Sequence, residues 1–171
     1  MKIGKYLIAL ALLVSQPLSA VVTVRTSIEV TAEIATSVRV VYDRNTDVTE
    51  GAVQLKLEDK DGYMQGMTKA FHFIGNASKV SLELIAPAGG GLTKTDDPAV
   101  IMPLGAYWRF SQTGGDSSTG FSAEASVYPT ISDIPSDTSG VYIRFVSARK
   151  TETYGLGTYK GTYVLNVKPK S

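Results

Sequence analysis

The sequence predicts an all-β chain, an antiparallel β-sandwich. Short runs alternate between apolar and polar side chains, the mark of strands with one buried face. Clusters of Gly, Pro, Asp, Asn and Ser separate these runs, and such residues make turns and loops. Beyond residue 20 no window repeats its apolar residues at helical spacing, and no internal repeat suggests a propeller or solenoid. Many short strands joined by turns pack as two facing layers.

The chain opens with Lys2 and Lys5, an apolar run over residues 6–14, and the small residues Ser19 and Ala20. This is the pattern of a secretory signal peptide over residues 1–20. The apolar run is too short to cross a membrane, and no later stretch comes near the required length. An exported chain without a membrane span is therefore expected. N-terminal sequencing of the exported protein should read Val21 first. A start beyond Ile28 would remove most of the segment that follows.

That segment, residues 22–34, is the most regular in the chain. Val22, Val24, Thr26, Ile28, Val30, Ala32 and Ile34 form one row, apolar except at Thr26, while Thr23, Arg25, Ser27, Glu29, Thr31 and Glu33 form a polar row. At ~3.3 Å per residue it reaches roughly 40 Å, well beyond the usual strand of about 5–6 residues. Its apolar row can fill its own core or that of another molecule.

The next elements are shorter. Residues 37–42 read as extended chain and 43–47 as a turn. Residues 52–57 alternate as a strand through Val53, Leu55 and Leu57. Residues 58–62 form a polar turn ending at Gly62. Residues 68–74 are a strand in which Phe71 and Phe73 face one way and His72 the other, on the polar rim. Residues 79–85 are an interior strand, expected to pair with residues 68–74 as a hairpin across Gly75 and Asn76. Residues 87–91 form a loop through three consecutive glycines. Residues 99–110 are extended, on an edge or bent at Pro103, which has no N–H for a ladder. Residues 113–118 and 129–140 are loops, and 121–127 and 141–146 are strands. After a turn at 153–157, residues 159–168 form the last strand, with Tyr163, Leu165 and Val167 on one face.

Composition narrows the function. The chain has 17 Lys+Arg against 16 Asp+Glu, and two of the basic residues lie in the leader. A nearly neutral chain without a long single-sign run argues against nucleic acid or an anionic membrane as the main partner. There is no cysteine, so an exported domain must hold itself by packing and backbone pairing, and thiol chemistry is excluded. His72 is the one histidine, which leaves no triad without it and no histidine cluster for a metal. Asp59, Asp61, Asp96 and Asp97 lack the later ligands of a calcium loop, and the glycines at 89–91 lack the Lys-Ser/Thr of a phosphate loop. Neither catalysis, a metal nor a cofactor is expected. Tyr107, Trp108, Arg109 and Phe110 could hold a sugar or pack in the core, and core packing is the expected use.

An export leader, a Cys-free chain, the alternating N-terminal segment and the closing strand with Gly157-Thr158-Tyr159-Lys160-Gly161 together resemble a chaperone–usher fimbrial major subunit. The likeness is to the alpha-class, or class 5, pilins of enterotoxigenic colonisation-factor fimbriae. Residues 28–34 are similar to that family's donor strand. Residues 52–55, 80–84 and 101–104 resemble its successive strands. The resemblance implies an incomplete immunoglobulin-like antiparallel β-sandwich completed by donor-strand exchange. Residues 21–36 would be the N-terminal donor-strand extension and residues 37–171 the pilin domain. Val22, Val24, Ile28, Val30, Ala32 and Ile34 would enter a neighbouring subunit. Tyr163, Leu165 and Val167 would border the acceptor groove and touch the chaperone. The implied partners are identical or homologous pilin subunits, a periplasmic chaperone, an outer-membrane usher and a host receptor. The implied location is a surface fimbria reached through the periplasm. A spore-coat-like strand-exchange protein and a carbohydrate-binding β-sandwich are the alternatives.

Overall fold

The computed structural model describes residues 31–32, 36–136 and 138–170. The leader and most of the alternating N-terminal segment, including Val22, Val24, Ile28, Val30 and Ile34, lie outside the described residues. Ala32 is exposed and outside any strand.

The described chain is all-β and almost wholly antiparallel, as the alternation predicts. Its strands are β1 (Val38–Tyr42), β2 (Thr46–Asp47), β3 (Glu58–Lys60), β4 (Tyr63–Met67), β5 (Phe71–Gly75), β6 (Lys79–Ile85) and β7 (Gly91–Lys94). There follow β8 (Ile101–Ser111), β9 (Ser117–Ser118), β10 (Ala123–Tyr128), β11 (Ser139–Ser147), β12 (Tyr159–Lys160) and β13 (Val164–Lys170). One layer runs β1–β5–β10–β6–β13 and the other β4–β11–β8–β7–β12. Among the described strands only β10 beside β5 is parallel. Strand β5 joins the layers, because Phe71 pairs with Val141 of β11 while Phe73 and Ile74 pair with β10.

The core lies between the layers. Val40, Phe71, Phe73, Val80 and Leu82 from one side meet Trp108, Val141, Ile143 and Phe145 from the other. Trp108 is 1% exposed, and its Nε1 donates to the Phe121 carbonyl at 3.1 Å. Its indole is therefore core, with its one donor satisfied. It offers no face to a sugar.

Several local expectations are corrected. Residues 52–57 enter no ladder, and of their apolar row Val53 and Leu57 are half-buried while Leu55 is exposed. Residues 58–62 are not merely a turn: β3 and β4 make a hairpin, with Asp61 and Gly62 at positive φ between them. Residues 63–67 thus form a strand that their weak apolar pattern did not show. The hairpin expected between residues 68–74 and 79–85 is absent, because β10 lies between β5 and β6. Strand β8 is interior rather than an edge. It pairs with β7 up to Pro103 and with β11 from Leu104 onward, so the proline marks the exchange of partners. The last strand is broken at residues 161–163, leaving β12 on β7 and β13 on β6.

His72 is also corrected, from the polar rim to 1% exposed. Alternation assumed one wet face. Ile134, from the loop after β10, covers the outer face of β1 and β5 with Val41 and Ile74, making a second small core.

The β7–β8 contact is close. A Cβ on Gly91 would run into the Met102 carbonyl and lie 2.6 Å from Pro103 Cα. Backbone atoms of a paired strand cannot step aside. Gly91→Ala should cost ~1–3 kcal/mol by overpacking, read as a lower denaturant midpoint. Gly115→Ala, where a Cβ has open space, should leave the midpoint nearly unchanged.

Candidate functional site

An apolar cleft of about 720 Å³ opens along one side of the sandwich. Its floor includes Phe71, Leu104, Ile143 and Phe145, residues the strand pattern turns toward the core. Its two walls are β13 and residues 52–57.

Among the described residues β13 pairs along its length with β6 alone, from Val164 opposite Ile85 to Lys170 opposite Lys79. Pro169, opposite Val80, has no N–H to give to that ladder, so its nitrogen faces away from β6. Backbone groups alternate sides along a strand. Leu165 and Val167 therefore turn their N–H and C=O groups the same way as Pro169, toward the cleft. Their side chains pack against the core cluster, as does that of Tyr163. The Tyr163 ring meets Phe145 edge-on with centroids 4.8 Å apart, and burial pushes its phenol pKa above the ordinary value. Tyr163, Leu165 and Val167, singled out from the sequence by their shared face, all line this cleft. Val164, on the opposite face, is 52% exposed.

The other wall was missed as a site element. Val53 and Leu57 pack against the core, and a Cβ on Gly66 of β4 would lie 2.9 Å from Leu57 Cδ2. Gly66 thus makes room for this segment. Yet among the described residues no backbone hydrogen bond ties residues 52–57 to a neighbouring strand. The nearby edge of β1 is occupied. The Val40 N–H donates to Thr49 Oγ1 at 2.9 Å, and the Val48 N–H donates to the Val40 carbonyl at 2.8 Å. The segment's alternation was legible in the sequence; that it would lack a partner was not.

Chemically the cleft combines an apolar floor with polar side chains such as Gln54 and Asn166 on its walls, and no described strand pairs with the backbone of those walls on the cleft side. It suits an extended chain better than a small polar molecule. The aspartates considered for calcium serve turns instead: Asp59 accepts from the Gly62 N–H, Asp97 accepts from the Ala99 N–H, and Asp96 pairs with Lys94. No helix among the described residues is long and apolar enough to cross a membrane.

No family model and no curated protein matches the chain. Among solved structures, it is similar to a chain from a chaperone–tip adhesin complex of CFA/I fimbriae biogenesis. The two are 13% identical, with a TM-score of 0.49 over 80% of this chain and 43% of that one. The chain thus spans less than half the length of that relative.

Proposed function

We propose that the protein is a structural pilin subunit of a surface fimbria, assembled through the chaperone–usher pathway by donor-strand exchange. The observation that carries this reading is the cleft with an apolar floor between β13 and residues 52–57, two walls whose cleft-facing edges no described strand pairs. A strand laid between them would pair its backbone and bury its alternate side chains, the physics of strand addition. The row Val22, Val24, Ile28, Val30, Ala32 and Ile34 is an occupant of the required chemistry. Supplied by the next subunit, it would complete an immunoglobulin-like sandwich. The same contact repeated head to tail is heterologous and grows an open filament.

A periplasmic chaperone would fill the cleft before assembly, and an outer-membrane usher would be the place of exchange. The fibre would carry the subunit to the cell surface and support adhesion to a host receptor. The test is a surface extract run on a denaturing gel without boiling. A ladder of multimers that collapses to one band on boiling supports the reading; a single monomer band in both lanes refutes it.

A further inference from the structure

His72 stands where the two layers part, between Phe71, paired with β11, and Phe73, paired with β10. Its Nε2 lies 3.0 Å from the Ser139 carbonyl oxygen. A carbonyl only accepts, so Nε2 carries the hydrogen and Nδ1 of the neutral ring is a bare lone pair. Nδ1 is buried without a hydrogen-bond partner. The backbone held by the ring is irregular. β11 shifts register against β8 between Ser139 and Tyr142, and Gly140 has φ of 120°. A Cβ on Gly140 would lie 2.8 Å from His72 Nε2, so glycine alone lets this corner close on the imidazole.

We propose that His72 is a proton-sensitive latch that ties the irregular start of β11 to β5 and lets it go in mildly acidic medium. Protonation puts a second N–H and a full charge where, among the described residues, no group is in place to accept them. The surrounding charges do not relieve it. Arg44, in the turn after β1, has the same sign and disfavours the imidazolium. Glu124 of β10 lines the small hollow of about 210 Å³ beside the ring, but Lys79 and Lys170 already pair with it. Asp43 is paired with Lys69. Tyr142 is neutral in this range, and burial pushes its phenol pKa higher still. Burial is the largest influence on His72 and lowers its pKa; the Ser139 carbonyl opposes it and Arg44 reinforces it. The sign follows. The fold holds the neutral ring, so its stabilisation is complete above the ordinary imidazole pKa and is lost as pH falls through that value toward the depressed one.

Hydrogen–deuterium exchange tests the latch on the full chain at about pH 7.5 and about pH 5. After correction for intrinsic rates, amides of residues 139–142 should exchange about tenfold faster at the lower pH, the effect of one pH unit of linkage. The rest of β11 should change little. His72→Phe and His72→Gln should lose this acid response. Equal acceleration in the variants, or acceleration spread evenly over the chain, overturns the proposal. Should neither variant fold, the wild-type profile decides: a response confined to residues 139–142 supports the latch, and its absence or even spread refutes it.

Discussion

Val30→Asp should yield a subunit that folds on its chaperone and fails to polymerise. Val30 sits in the middle of the apolar row, with Ile28 and Ala32 as its neighbours on that face. If the row enters a neighbour's cleft, the substitution places an unpaired carboxylate in a dry site, at a cost of several kcal/mol. The large aliphatics of the row, Val22, Val24, Ile28, Val30 and Ile34, contribute at most roughly 8–15 kcal/mol between them, at about 1.5–3 kcal/mol each. Ordering the strand consumes much of that, so one buried charge is enough to tip the balance. Glu29→Ala changes the polar row and should leave polymers intact. Co-expression with the chaperone, followed by unboiled gels of surface extracts, reads both steps. If the row fills the chain's own core instead, Val30→Asp should destroy the monomer, and no soluble chaperone complex will be recovered. That outcome would count against exchange through this segment.

Leu165→Asp should abolish co-purification with the chaperone. Leu165 packs against the core cluster while its backbone faces the cleft. Its loss removes apolar contact worth ~2–5 kcal/mol, and the carboxylate would sit where the incoming strand seals off water. Lys168→Asp is the control on the same strand. Lys168 stands on the face opposite Leu165, is exposed and does not line the cleft, so the complex should form at normal yield. Normal yield from Leu165→Asp would mean that the chaperone binds elsewhere.

The sequence carried the class of the fold and one wall of the site, and the reasons lie in particular residues. Alternation around Leu165 and Val167 reports a strand with one buried face, and such a strand has one. The same rule failed at His72. A strand in the middle of a layer, roofed by Ile134 from a distant loop, is buried on both faces, and the roof is not written in the strand. The rule named residues 52–57 a strand from their side chains, but a strand needs a partner, and none of the described strands pairs with it. Pro103, without an N–H, predicts a disturbance of pairing. It is one, but the strand answers by changing neighbours rather than by sitting on an edge. Sequence proximity favours a hairpin between residues 68–74 and 79–85. The insertion of β10 between β5 and β6 is a long-range choice that no local signal records.

The position of β5 sets the order of events in folding. Its partners are β1, made before it, and β10 and β11, made long after it. The central strand of the molecule can therefore satisfy only one edge until most of the polypeptide has been synthesised. Each remaining contact closes a long loop, and chains dominated by such contacts fold slowly. During that interval Phe71 and Phe73 have no opposite layer to cover them. The kinetic hazard is aggregation from partly paired intermediates, and it arises from strand order alone.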